Sequence, residues 1–198
     1  MNRKSRYRSL DAIVNIISEA GLIKRTRRSG WSVLGIGDAE SVADHSFRCA
    51  IIGFFLARLE GASADKVLLM TLFNDLHEAR ITDLHKMAQR YVDIEDAEDR
   101  AHSEQISSLP KDLAKELGDL RSEYRRQKSA ESIIARDADI LECLIQAKEY
   151  EDCGYRKASH FMKRAPRFLK TRSARRLWNA AKKADSDEWW LALSEFKR

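Results

Sequence analysis

Apolar side chains recur at the α-helical period along almost all of this 198-residue chain, and the residues that interrupt such a period are scarce, 8 glycines and 2 prolines. A turn-rich β-sandwich needs far more punctuation, so the expected class is all-α. Leu10, Ile13, Val14 and Ile17 set the period over residues 9–20, and Gly21 reads as its stop. The period returns over 43–59, before Gly61, and then over 64–79, 84–91 and, weakly, 93–107. Pro110 suits the first turn of a helix reaching about Tyr124, and the longest pattern, 130–153, closes at Gly154. Between Leu22 and Glu40 no period holds: Gly30, Gly35 and Gly37 break a loop or extended arm that carries Lys24, Arg25, Arg27, Arg28 and Trp31. At typical helix lengths this makes a bundle of roughly six to nine helices. One domain is expected over 1–198, with a core at about 22–154 and a basic helical extension at 155–198.

The longest apolar run, residues 50–57, is far short of the roughly 20 residues that span a bilayer, so no membrane partner is expected. Lys+Arg 36 against Asp+Glu 31 leaves +5, mild for a nucleic-acid binder and suited to anionic ligands. Arg164, Arg167, Lys170, Arg172, Arg175, Arg176, Lys182 and Lys183 concentrate positive charge late in the chain, but helical spacing spreads them into a solvated face. Cys49, Cys143 and Cys153 lack any zinc-finger or CxxC spacing and read as reduced thiols. With no apolar segment after the basic Met1–Lys4, a secretory signal is not expected either, and the predicted location is cytoplasmic.

Polar groups fall where the helical period predicts burial. His45, Cys49, Ile52, Leu56 and Leu59 share one stripe; Leu68, Leu72 and Asp75 share another; Ala135, Asp139 and Cys143 a third. A lone histidine is ordinarily a satisfied core residue, and a lone aspartate ordinarily pairs with an arginine. Two inward carboxylates and a histidine on three helices are more economically explained by one shared divalent cation, because an unpaired buried carboxylate costs several kcal/mol.

The local sequences Glu40-Ser-Val-Ala-Asp-His45-Ser, Leu72-Phe-Asn-Asp75-Leu-His-Glu78, Asp83 and Ala138-Asp139-Ile-Leu-Glu142 resemble the HD-domain metal-dependent phosphohydrolases, in the branch containing the 5′-deoxynucleotidases. Arg28-Ser-Gly-Trp31 and Gln146-Ala-Lys-Glu-Tyr-Glu-Asp-Cys-Gly154 extend the likeness over most of the chain. The resemblance implies an HD-type helical bundle, commonly a homodimer, that releases phosphate from (deoxy)ribonucleoside 5′-monophosphates. An HD-type phosphodiesterase or pyrophosphohydrolase, or a nucleotide-binding module with a degenerate metal site, is the alternative. It implies one divalent ion (manganese, cobalt, magnesium, nickel or zinc) held by His45, Asn74, Asp75 and Asp139.

Asn74 stands where the family has its signature histidine. An amide oxygen is a weaker donor than imidazole towards softer ions, so lower affinity and a shift towards manganese or magnesium are expected. His77, on the same helical face, is a second source of imidazole, or else a helix-end histidine touching solvent or substrate. Catalysis falls to Glu78, one turn beyond Asp75, and to Asp83, which also suits an N-cap. Phosphate and sugar contacts fall to Arg28 and Trp31. Trp31 keeps the family spacing to His45, but Gly30 precedes it instead of arginine, which passes the phosphate contact to Arg28 or Arg27. Glu142, Gln146 and Glu149 read as a hydrated or partner-facing stripe outside the active site.

Overall fold

The computed structural model describes residues 3–194; Met1, Asn2 and residues 195–198 lie outside the described residues. The helices are α1 (Arg3–Ile23), α2 (Ser29–Ser32), α3 (Val42–Glu60), α4 (Ala64–Phe73), α5 (Glu78–Ile81), α6 (Ile94–Ser107), α7 (Lys111–Arg126), α8 (Ala130–Asp152), α9 (Ser159–Arg164), α10 (Arg172–Ala181) and α11 (Glu188–Ser194). Among the described residues the only β-type pairing is one isolated antiparallel bridge, Arg27 to Ser41, which ties the glycine-broken arm to the start of α3.

Helix ends follow local chemistry. Ser41 and Asp44 form a reciprocal capping box at α3, and Gly61 ends that helix at φ 72°, a left-handed conformation that glycine adopts without strain. Ser63, Ser129 and Thr171 cap α4, α8 and α10 through their hydroxyls.

The core forms where α3 and α4 pack on α8. Ile52, Leu56, Val67, Met70, Ile134, Ala135, Ala138, Leu141 and Leu144 make its buried centre, and Leu169, Ala174 and Trp178 join it from the basic tail. A buried aspartate fastens that tail: Asp137 on α8 accepts from the backbone N–H of Lys170 (2.9 Å) and of Thr171 (2.7 Å). The eight late arginines and lysines are exposed, as a solvated face requires.

Several expectations change. Gly21 does not stop α1, which continues to Ile23. The segment 64–79 is not one helix: α4 ends at Phe73, a turn follows, and α5 begins at Glu78. Only one 3-10 turn, Ala88–Arg90, occupies the segment 84–91. The helical segments number more than nine because the arm and the tail fold into short pieces. Leu59 and Leu72 face solvent; the inner side of α4 is Val67, Met70 and Thr71, and that of α3 stops at Leu56 and Ala57. Stripes extrapolated to a helix end fail because neighbouring helices cross only part of its length.

Gly53 marks the closest approach of α3 to its partners. A Cβ there would meet Val67 Cγ1 at 2.9 Å, Thr71 Cγ2 at 3.3 Å and Ala138 Cβ at 3.6 Å. In an exposed helix Gly→Ala gains about 1 kcal/mol of propensity, but here the contact is a fully buried valine that cannot swing aside. Overpacking of about 1–3 kcal/mol outweighs that gain, so Gly53→Ala is expected to lower the denaturant midpoint; a raised midpoint would show that the three helices separate freely.

Candidate active site

The break after α4 builds the site. Because the helix ends at Phe73, the following turn carries Asp75 inward, where it is buried although Leu72, three residues earlier, is exposed. His45, in the first turn of α3, is 1% exposed. Its Nε2 lies 3.5 Å from Asp75 Oδ2 and 3.1 Å from Asp139 Oδ1, on the mid-section of α8. Three segments far apart in sequence thus meet at one imidazole nitrogen. The Cys49 thiol, one turn along α3, adds a sulfur 3.4 Å from the same atom, so the cluster includes a donor beyond the four expected ligands.

These spacings suit one cation. Donors about 2.0–2.2 Å from a common ion sit about 3.0 Å apart at octahedral and about 3.4 Å apart at tetrahedral angles. Electrostatics agree. Burial works against a charge on His45, yet the Cys49 sulfur and the Asp139 carboxylate outweigh it and raise its pKa well above the usual histidine range, so the cluster favours a positive charge at this point. Burial also opposes ionisation of Asp139, but His45, Arg136 and Arg28 hold its carboxyl well below the ordinary range. Arg136 does so through a 2.9 Å bond to Asp139 Oδ2, which leaves Oδ1 turned to His45. Asp75 moves the other way, upward, chiefly through burial. Glu78 Oε2, at the start of α5, is a buried oxygen with no hydrogen-bond partner. Burial, then Asp75 and Asp83, push its pKa well above the ordinary carboxylate range. A buried acceptor with no partner, set among charged groups, is a candidate for acid–base work.

Asp83 does not cap a following helix. Its Oδ2 accepts from the backbone N–H of Ser29 at 2.8 Å, the first residue of α2, so it fastens the arm to the site from across the fold. Arg28 lies beside it, Nε 4.0 Å from Asp83 Oδ2 and 3.9 Å from Glu40 Oε1. Burial opposes the charge on Arg28, but Asp83, Asp75 and Asp139 secure it. Arg27 turns outward to Asp38 at 2.8 Å and to the Ala39 carbonyl at 2.7 Å, so of the two adjacent arginines on the arm Arg28 faces the cluster. Trp31 is 2% exposed and packs on Tyr150 and Phe161 (ring centroids 5.1 and 4.8 Å). Its indole N–H donates to Glu40 Oε1 at 2.8 Å. Burial and the nearby Glu142 push Glu40 up to about 7.

The structure does not bring His77 to the cluster. Its ring is buried rather than touching solvent; Nδ1 accepts from Arg121 at 3.4 Å, and Nε2 is 3.9 Å from Glu98. Asn74 stays close, donating through Nδ2 to Asp75 Oδ1 at 2.6 Å.

The stripe on α8 expected to face water or a partner is instead the backing of the site. Glu142 is 0% exposed, and its Oε2 accepts from His45 Nδ1. Arg48 donates to Glu142 Oε1 (2.8 and 3.0 Å), to Gln146 Oε1 (2.6 Å) and to Glu149 (2.7 Å). One signal was available: Glu142 sits between Leu141 and Leu144, with Ala138 one turn back, on a face too apolar for hydration.

Residues 20–180 match the HD domain family model. The chain is 32% identical over 143 residues to the 5′-deoxynucleotidase HDDC2 of Bos taurus, covering 71% of this chain and 68% of that protein. It is 30% identical over 142 residues to the Homo sapiens protein of the same name, covering 71% and 69%. Among solved structures, that of genomics APC5600 superposes with a TM-score of 0.73 at 37% identity, covering 91% of this chain and 99% of the other.

Proposed function

Since this chain belongs to the HD-domain family, we propose that it is a metal-dependent phosphomonoesterase that releases phosphate from nucleoside 5′-monophosphates, the deoxy forms first among them. The observation that carries this is His45 Nε2 flanked by Asp75 and Asp139 from separate segments. The relatives above are named 5′-deoxynucleotidases, which supplies the substrate class.

His45, Asp75 and Asp139 would hold the divalent ion, with Asn74 offering its amide oxygen while its Nδ2 steadies Asp75. The ion, when bound, lowers the pKa of a water and neutralises phosphoryl charge. Hydrolysis forms a P–O bond to the water oxygen and breaks the bond to the 5′-oxygen, so a proton leaves the water and another reaches the nucleoside. Glu78 Oε2, whose environment keeps its affinity for a proton high, would take the proton from the water and pass it to the leaving 5′-oxygen, so the carboxyl ends as it began. The Arg28 guanidinium takes the phosphate, and Asp83 keeps α2 and Arg28 in place through Ser29. Trp31 contributes from behind, as the buried wall that seats Glu40 and the arm.

The same reading makes the protein a cytoplasmic homodimer. Its three cysteines are free thiols, which suits a reducing compartment, and α3 presents Phe47, Ile51, Phe55 and Leu59 to solvent as a row that two antiparallel copies would cover. Light scattering at one chain's mass would exclude the dimer.

The test is phosphate release from a panel of deoxy- and ribonucleoside monophosphates by metal-stripped protein, with and without added manganese. Turnover that appears with manganese and vanishes with chelator is expected; activity confined to phosphodiesters, or nucleotide binding with no turnover, would overturn the reading. Asn74→His adds an imidazole donor, and about tenfold tighter zinc or cobalt binding is expected by calorimetry. Unchanged affinity would remove position 74 from the coordination sphere.

A further inference from the structure

We infer that Glu142 and Arg48 are positioning residues for the ion: Glu142 fixes the ring and proton of His45, and Arg48 fixes Glu142. This rests on the metal-dependent reading above and names side chains that do not themselves touch the ion or the substrate.

The geometry divides the labour atom by atom. The imidazole has two nitrogens, and only a nitrogen without a proton can bind a metal. Nδ1 is committed to Glu142 Oε2, which keeps the proton on that side and turns Nε2 towards Asp75 and Asp139. Glu142 cannot drift, because its other oxygen accepts two bonds from one guanidinium, Arg48 Nε at 3.0 Å and Nη2 at 2.8 Å. Arg48 is in turn held on its remaining face by Glu149 (2.7 and 2.9 Å to Nη1) and Gln146 (2.6 Å to Nη2). It lies on α3 three residues after His45, while its three acceptors are spaced along α8, so the network fixes in one register the two helices that supply His45 and Asp139. A carboxylate buried this completely costs several kcal/mol unless fully paired. Water would satisfy a merely structural glutamate at the surface more cheaply, so its place directly behind a ligand is the informative feature. Partners of this kind typically change metal affinity by about 10–100-fold.

The experiment uses the full-length protein, stripped of metal. Manganese binding is measured by calorimetry for wild type, Glu142→Gln, Glu142→Ala and Arg48→Met, with thermal unfolding in chelator and phosphate release across a manganese series. Glu142→Ala is expected to weaken manganese binding by about 10–100-fold, and Arg48→Met by about tenfold. Glu142→Gln, which keeps an oxygen acceptor for Nδ1–H, is expected to fall between wild type and Glu142→Ala. Saturating manganese is expected to restore most of the turnover in all three, which a general loss of structure would not allow. If Glu142→Ala fails to fold, Glu142→Gln and Arg48→Met decide. Wild-type affinity in those two folded variants would overturn the inference while leaving the enzyme reading intact. Failure of the wild type to take up manganese would overturn both.

Discussion

Asp75→Ala is expected to abolish manganese binding and phosphate release together. Asp75 is buried, its Oδ2 is 3.5 Å from His45 Nε2, and Asn74 steadies its other oxygen. Alanine withdraws a charged donor from the ion itself, so the loss of affinity should exceed the about 10–100-fold typical of residues one layer back. A barrier increase of about 4 kcal/mol, or roughly a 10³-fold loss of turnover, follows if the ion no longer neutralises the phosphoryl group. Folding itself should survive. Ligand at about 100 times its dissociation constant stabilises the native state by about 2.7 kcal/mol; wild type should therefore melt higher with manganese, and Asp75→Ala should melt at one temperature with or without it. Phosphatase activity at the wild-type level in this variant would contradict the assignment of the metal site.

Glu78→Gln is expected to separate chemistry from metal binding. The substitution keeps shape and removes the ionisable carboxyl, so manganese affinity should hold while turnover drops by about 10²–10⁴-fold, the usual contribution of general acid–base catalysis. Loss of metal as well would move Glu78 into the coordination sphere. The same variant makes a pH prediction of definite sign. Burial, then Asp75 and Asp83, raise the Glu78 pKa well above its ordinary 4.5 in the folded chain. A carboxyl raised on folding favours the native state fully below its unfolded pKa, and that stability is lost as pH rises from about 4.5 through the raised value. Metal-free wild type should therefore lose more stability than Glu78→Gln between pH 5 and pH 8, read as the difference between their melting temperatures at each pH. Parallel curves would mean that Glu78 is solvated like a surface carboxylate.

Of these two residues only Asp75 stands out by helical period; the role of Glu78 comes from the family resemblance. The stripe of His45 with Cys49, Ile52, Leu56 and Leu59 is buried as far as Leu56, and only its last member, Leu59, faces solvent. The helical period puts Asp75 on a stripe with Leu68 and Leu72, which is not the inner face of α4; it is buried because the helix stops at Phe73 and the turn swings it inward. Residue periodicity cannot anticipate such a break, since nothing between Phe73 and Glu78 is a glycine or proline. Asp83 was legible as a capping residue but not as the cap of α2, whose first N–H comes from Ser29, 54 positions earlier. Glu142, Gln146 and Glu149 form a polar row, and a polar row is ordinarily a wet one; Arg48, 94 residues before Glu142, ties this one to α3, with Glu142 fully buried and Gln146 and Glu149 half-buried.

Local sequence determined the helical class, the caps of α3, α4 and α8, and the order of the motif blocks, because propensity, capping and period act over a few residues at a time. It also flagged His45, Asp75 and Asp139 as polar groups that a bundle cannot leave unpartnered. Tertiary structure decided which atoms face each other: Arg28 rather than Arg27 towards the carboxylates, His77 away from them towards Arg121, and Glu142 behind His45. Those choices depend on where separate helices cross, and helix crossing is settled by the packing of α3, α4 and α8 around Gly53 and Ala138, contacts between segments far apart in the chain that no local pattern encodes.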